Sequence, residues 1–367
     1  MTAETLLGRP GGEMSATPAV ARALLLAPSE GLGGGIERYA QTVQSALSDY
    51  GVRCARLNLP GPGLGGHRAL LAAAAAALPR DARPTRLIAA HRALLPVAAL
   101  LATVRPVSGI SVICHGSDVW GGRARPRWQL ESRLMRRRDV RIVAVSSFTA
   151  GALVPTARAA VLPPGLSRAW FDELVDAQAQ AVPGKGGLRL ITAFRLDDWR
   201  DKGLRELTDA IAMLPGPAVR LTVCGSGTAP PDLLAHVGRL PWCTLRPGLA
   251  DRELAAELAS SDLFVLATRT RSGRVPCGEG FGLVLLEAQL AGTAVVGPAH
   301  GGSPDAYLDG ITGATPRDEG VPALATVIAA LLSDQDWLAE MGRQGAAWAR
   351  RRFDPGRYAA LVVDRLL

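Results

Sequence analysis

Short continuous apolar runs alternate along this chain with stretches whose apolar positions recur every three or four residues. Greasy runs bounded by glycine, proline or small polar residues read as strands buried on both faces, and the segments between them as amphipathic helices. Ala21–Ala27 is the first run; it ends in Pro28 and a glycine-rich loop, Gly31-Leu-Gly-Gly-Gly35, and a helix is predicted from about Ile36 to Asp49. Further strands are predicted at Arg53–Leu57, Leu87–Ala90, Ile110–His115, Val140–Ser146 and Ala159–Leu162. A second series follows Ala181-Val-Pro-Gly-Lys-Gly-Gly187, which reads as a linker. Its strands are predicted at Leu188–Phe194, Val219–Cys224, Thr244–Arg246, Leu263–Ala267 and Ala294–Val296. Its helices are predicted at about Arg205–Leu214, Asp251–Ser260, Leu283–Ala291 and Val321–Leu332.

Two successive sets of βα units predict the α/β class, with two Rossmann-like, doubly wound parallel-sheet domains facing an interdomain cleft. The expected layout is a loose tail over 1–20, an N-terminal domain over 21–182, a linker at 183–187 and a C-terminal domain over 188–344. The last stretch, 345–367, reads as helical with a break at Pro355, able to pack back on the N-terminal domain. Ligands of such sheets bind beyond the carboxyl ends of the strands, so the cleft is the expected site.

Composition narrows the class. Apolar residues make 48% of the 367 and charged ones 20%, enough for two cores and unlike a disordered chain. The 41 glycines and 26 prolines punctuate short elements, which excludes a coiled coil, a collagen-like rod and a membrane bundle. Five scattered cysteines (Cys54, Cys114, Cys224, Cys243, Cys277) form no C-x-x-C, so they read as thiols in a reducing compartment rather than a zinc or disulfide framework. Met1–Pro18 has two acids and no apolar core, unlike a signal or transit peptide, and the alanine-rich Ala69–Leu78 is too short to span a bilayer. A soluble, cytoplasmic protein is expected.

The formal charge of +8 is local: eight arginines lie between Arg123 and Arg141 against only Glu131 and Asp139. A nucleic-acid footprint would be more dispersed or interleaved with aromatics, so no nucleic-acid partner is expected. Of the 41 basic residues only Lys185 and Lys202 are lysines, which draws attention to any lysine near a candidate site.

Several constellations carry chemistry. Glu279 sits in a glycine-rich loop, Cys277-Gly-Glu279-Gly-Phe281-Gly-Leu283, and Glu287 lies eight residues on, within a helix that starts near Gly282 and stops at Gly292. Free amides at that helix start favour an anion, and the flanking carboxylates can hold sugar hydroxyls. Arg195 follows an apolar strand and Lys202-Gly203 precedes a helix, a planar fork and a point charge able to converge on a diphosphate. His115-Gly-Ser-Asp118 and His91 sit just past strand ends. Gly33-Gly34-Gly35 opens a helix, and Gly225-Ser-Gly227 follows a strand; neither completes G-x-G-x-x-G, so a dinucleotide fingerprint is absent.

Taken in order, these pieces resemble the retaining GT-B glycosyltransferases of family 4, also called glycosyltransferase group 1. Gly34-Gly35-Ile36-Glu37, His115-Gly-Ser-Asp118, Ser146-Ser147-Phe148-Thr149 and Pro164-Gly165-Leu166 match the N-terminal half. Arg195, Lys202-Gly203, Gly225-Ser-Gly227, Glu279 through Glu287, Gly301-Gly-Ser-Pro-Asp305 and Asp309-Gly-Ile-Thr-Gly313 match the C-terminal half. The resemblance implies sugar transfer from a nucleotide-diphosphate donor to an acceptor hydroxyl, with retention, and with no metal or other cofactor. It implies that Arg195 and Lys202 grip the diphosphate, Glu279 the sugar hydroxyls and Glu287 the ribose hydroxyls. Phe281, Gly282 and Leu283 would present backbone amides, Gly34, Gly35 and Gly225 would line the donor, and His115 would flank the transferred sugar. His91 and Asp118 are the acceptor-side candidates. Where the family commonly has Asn-Gly-Val, this chain has Pro164-Gly165-Leu166. No carboxylate nucleophile stands out, so front-face displacement is expected. Arg269–Gly278 is long enough to form a flap over the donor.

Pro126–Arg138 mixes Trp128, Leu130, Leu134 and Met135 with five arginines. It reads either as a helix that docks on anionic lipid or a phosphorylated acceptor, or as a solvated arginine face with its apolar residues on the core. The loop Pro60–Gly66 is expected to shape the acceptor pocket. Acceptors in the family span small molecules, sugars and lipids. Two other readings stay open: a related sugar-nucleotide epimerase or hydrolase, and a non-catalytic binding protein that uses the basic helix.

Overall fold

The computed structural model describes residues 22–29, 34–78, 85–120, 126–181, 187–215, 219–271 and 276–367. The tail, Gly31 to Gly33, nearly all of the linker, Arg123 and the centre of Arg269–Gly278 lie outside the described residues.

Two six-stranded parallel sheets carry the fold. The first comprises β1 (Arg22–Ala27), β2 (Arg53–Asn58), β3 (Thr85–Ala89), β4 (Gly109–Cys114), β5 (Val140–Ala144) and β6 (Ala160–Val161). Its order is β2-β1-β3-β4-β5-β6. The second comprises β7 (Leu188–Ala193), β8 (Val219–Gly225), β9 (Cys243–Pro247), β10 (Leu263–Val265), β11 (Ala294–Val296) and β12 (Gly313–Ala314), ordered β12-β11-β10-β7-β8-β9. β3 and β4 are buried along their whole length while the edge strand β2 is not, which is why they read as largely apolar runs; the buried Arg86 and Ser111 within them hydrogen-bond each other at 3.1 Å. β12, two residues long, has no such run and was not anticipated.

Chain order reverses between β1 and β3 in the first sheet and between β7 and β10 in the second. A parallel sheet leaves a crevice at each reversal, at the carboxyl ends of the strands. Gly34 and His91 lie just past β1 and β3. Arg195 lies just past β7, and Thr268 just past β10.

Each sheet is covered on both faces. In the first, helices Gly63–Ala77, Leu95–Val104 and Pro126–Met135 share one core, and Gly35–Asp49 shares the other with Pro355–Leu366. In the second, helices Leu204–Ala212 and Val321–Ser333 cover one face. Helices Arg168–Gln180, Asp251–Ala259 and Leu283–Leu290 cover the other.

Packing redraws several expectations. Helix Arg168–Gln180 precedes the linker yet buries Trp170, Phe171 and Leu174 in the core of the second sheet, so the exchange of partners comes before 182. The C-terminal helical stretch begins at Gln335, not Gly345; Gln335–Arg352 packs against the second sheet, and only Pro355–Leu366 returns to the first. The expected loop Pro60–Gly66 is half helix, because Gly63–Gly66 form the first turn of Gly63–Ala77. Helix Pro126–Met135 stops short of Arg138 and turns Trp128 and Met135 into the core, leaving Leu130 exposed. All five cysteines are unpaired.

Candidate active site

The two crevices face one another across a cleft of about 830 Å³, lined by every site residue expected from the sequence except Asp118. Lys202 and Glu279 meet on its floor. Lys202 Nζ donates to Glu279 Oε2 at 2.9 Å, and Thr268 Oγ1 donates to the same oxygen at 3.1 Å. Burial works against the Lys202 ammonium, but Glu279, with Asp198 and Cys277, outweighs it and holds the pKa above the ordinary lysine value. The group is therefore a fixed cation throughout the neutral range. Arg195 reaches into the cleft with Asp197 and Asp198 each 3.7 Å away, close enough to steer its guanidinium without neutralising it.

Gly282 adopts a left-handed conformation (φ 84°), which turns the chain from the Glu279 loop into helix Leu283–Leu290 with no side-chain cap. The first amides of that helix are left for a ligand. Gly34, from the opposite sheet, faces Arg195: a Cβ there would lie 4.0 Å from Arg195 Cδ. Gly35 and Gly225 line the same end, and Phe281, buried, packs beneath.

Glu287 is buried, with Oε1 accepting from Trp170 Nε1 at 3.0 Å and from Arg38 Nη1 at 3.4 Å. Burial lifts its carboxyl above the usual glutamate range, and Arg38 and Trp170 pull it back. Neither Arg38 nor Trp170 was singled out from the sequence. Arg38 stands in the Gly33–Tyr39 run, but its partner is 249 residues away, and no local pattern joins them.

His115 Nε2 lies 2.7 Å from the Ala90 carbonyl, so Nε2 carries the proton and Nδ1 is the ring's acceptor. Burial drives its pKa down to about 4; Asp118 opposes the shift and the neighbouring His91 adds to it. The ring is neutral at physiological pH. His91 stacks on it at 6.0 Å between centroids, and Tyr39 meets it edge-on at 5.6 Å.

Asp118 has a different place from the acceptor contact expected of it. Its Oδ1 accepts from the His115 and Gly116 amides at 2.9 and 2.8 Å, and it is withdrawn from the cleft. It shapes the turn that presents His115. His91 caps a 3-10 turn through Nδ1, which accepts from Ala93 N at 3.0 Å, and its Nε2–H faces Asp118 Oδ2, 3.9 Å away. Among the described residues, no three His, Cys, Asp or Glu side chains converge as metal ligands.

Residues 187–334 match the family model described as Glycosyl transferases group 1. Over that stretch the chain is similar to group 1 glycosyltransferases. Over 320 residues it is 29% identical to a GDP-mannose-dependent alpha-(1-6)-phosphatidylinositol monomannoside mannosyltransferase of Mycobacterium tuberculosis, spanning 78% of this chain and 79% of that protein. It is 31% identical over 200 residues to a D-inositol 3-phosphate glycosyltransferase of Segniliparus rotundus, 52% of this chain and 43% of that one. Among solved structures, sucrose-phosphate synthase from Thermosynechococcus elongatus superposes with a TM-score of 0.75 at 18% identity, covering 94% of this chain and 98% of its own. Anabaena HepE in complex with UDP and glucose superposes at 0.69, with 19% identity and the same coverage. The chain therefore has the GT-B fold that its motifs implied.

Proposed function

We propose that this glycosyltransferase moves a hexosyl unit from a nucleoside-diphosphate sugar to an acceptor hydroxyl with retention at the anomeric carbon, and without a metal. The observation that carries this reading is the Lys202–Glu279 pair beside Arg195, at the uncapped start of helix Leu283–Leu290. Two fixed cations and a set of free amides suit a diphosphate that gains charge as it departs. Glu279 then accepts from hydroxyls of the sugar, Glu287 from the ribose, and neutral His115, through Nδ1, from a further sugar hydroxyl. In front-face displacement the bond from the anomeric carbon to the β-phosphate oxygen breaks, while the acceptor oxygen bonds to the same face. The acceptor proton passes to the departing phosphate, and Arg195 and Lys202 hold the resulting charge.

The donor named for the mycobacterial mannosyltransferase makes GDP-mannose the first to try. The protein is incubated with GDP-mannose or UDP-glucose and a panel of polyol and inositol-lipid acceptors, with and without EDTA, and the product's anomeric configuration is read by NMR. An α-linked product formed in EDTA is expected. A β-linked product overturns retention, and EDTA-sensitive turnover overturns metal independence. Free sugar without glycoside marks a hydrolase instead.

The same reading places the protein peripherally at an anionic, cytoplasmic membrane face, through a wider surface than the basic helix alone. Helices Gly63–Ala77 and Leu95–Val104 contain no acid, and Glu131, the sole acid of Pro126–Met135, is buried between Arg92 at 2.9 Å and Arg127 at 2.8 Å. The face they form exposes Leu64, Leu100, Val104 and Leu130 beside Arg68 and Arg133. Among the described residues no helix is long and apolar enough to cross a membrane. Sedimentation with vesicles containing phosphatidylglycerol is expected to carry the protein down, and the doubly substituted Leu64→Glu, Leu130→Glu protein to stay in the supernatant. Equal recovery of the two overturns this placement.

A further inference from the structure

We propose that Arg38 is a positioning residue that orients the Glu287 carboxylate across the cleft, so that capture of the donor's ribose depends on closure of the two domains. The inference rests on the reading of Glu287 as the ribose-binding group. Arg38 rides on helix Gly35–Asp49 of the first sheet, and Glu287 on helix Leu283–Leu290 of the second. Arg38 Nη1 lies 3.4 Å from Glu287 Oε1, and its Nη2 lies 3.7 Å from Asp251 Oδ1. One planar guanidinium thus spans two carboxylates of the opposite domain, which a lysine point charge cannot reproduce.

The second donor to Glu287 decides what Arg38 adds. Trp170 Nε1 reaches the same Oε1 at 3.0 Å, and Trp170 is packed into the core of the second sheet, so it moves with Glu287. Arg38 does not. With both donors on Oε1 the carboxylate is fixed in rotation and Oε2, which receives no hydrogen bond from the described residues, remains the edge for a ligand. When the domains part, Glu287 keeps only Trp170, a neutral donor, inside a buried site that disfavours its charge. A ribose diol that binds Oε2 and an arginine that binds Oε1 both favour the ionised carboxylate. Each therefore strengthens the other, and donor binding and closure become reciprocal.

The test uses GDP and UDP against their 2′,3′-dideoxy counterparts, titrated calorimetrically from pH 5.5 to 8.5 into the unaltered protein, Arg38→Met, Arg38→Lys, Glu287→Gln and Arg38→Met with Glu287→Gln. The unaltered protein is expected to prefer a ribonucleotide over its dideoxy form by roughly 10-fold or more, the range of a hydrogen bond to a charged group. Arg38→Met is expected to reduce that preference to within about threefold. It should also move the loss of affinity at low pH to higher pH, because Glu287 then keeps its proton longer. Arg38→Lys restores part of the preference, and the double variant binds no more weakly than Glu287→Gln alone. A preference unchanged in Arg38→Met, or additive losses in the double variant, overturns the inference. Failure of the unaltered protein to bind either ribonucleotide overturns the donor-site reading, and this inference with it.

Discussion

Lys202→Ala is expected to lower kcat for sugar transfer by roughly 10²–10³-fold, the usual consequence of removing one preorganised charge from a developing anion. The ammonium is held 2.9 Å from Glu279 and its pKa is raised, so it stands charged and immobile before the donor arrives. Lys202 is the only lysine among the described residues. Arginine is a poor substitute, since its fork is planar and longer where the site presents a compact ammonium. The variant also leaves Glu279 with Thr268 as its remaining side-chain donor. Stability should fall by roughly 2 kcal/mol, below the full cost of breaking a buried pair because about a quarter of the lysine side chain is exposed (24%). Steady-state kinetics and thermal melting measure the two effects separately. A kcat within tenfold of the unaltered enzyme would remove Lys202 from the proposed diphosphate clamp.

Gly280→Ala should lose about 10²-fold in kcat/KM while the protein still folds, because it wedges the two domains apart at the site. A Cβ on Gly280 would lie 2.0 Å from the His115 carbonyl oxygen, and one on Gly302 would lie 1.9 Å from the Gly280 carbonyl. Three backbones are thus stacked with no room for a methyl group. The constraint is space rather than conformation, since Gly280 is not among the glycines with positive φ. Relief requires the Glu279 loop and the end of β4 to separate by about 1 Å, which displaces Glu279 and His115 relative to one another. The stability cost should be about 1–3 kcal/mol, as for other overpacked sites. Gly151→Ala is the control: nothing lies within 4 Å of its added Cβ, inside helix Ser147–Leu153, and activity should be unchanged. Equal kcat/KM for the two variants would show that the close approach at Gly280 does not set the geometry of catalysis.

The contrast between these two positions runs through the whole molecule. Lys202 and Glu279 were conspicuous in sequence because each stands in a short motif beside a strand end or helix start. Asp118 was conspicuous for the same reason, yet its local hydrogen bonds to the amides of residues 115 and 116 place it behind the site. Helix Gly63–Ala77 was half hidden, since its first turn is Gly-Leu-Gly-Gly, which mimics a loop until the Leu70 and Ala74 face is packed on the sheet.

What the sequence determines by itself is therefore the set of elements and the residues at their ends. Strands of a parallel sheet are buried on both faces, helices on one, and the difference is written in the spacing of apolar side chains within ten or fifteen residues. What only the tertiary structure decided is which ends face each other. The Arg38–Glu287 contact, the transfer of helix Arg168–Gln180 to the second sheet and the return of Pro355–Leu366 to the first all join positions far apart in the chain. Such meetings follow from the reversal of strand order and the closure of one domain on the other. They are set by complementary surfaces, and leave no periodic trace in either segment alone.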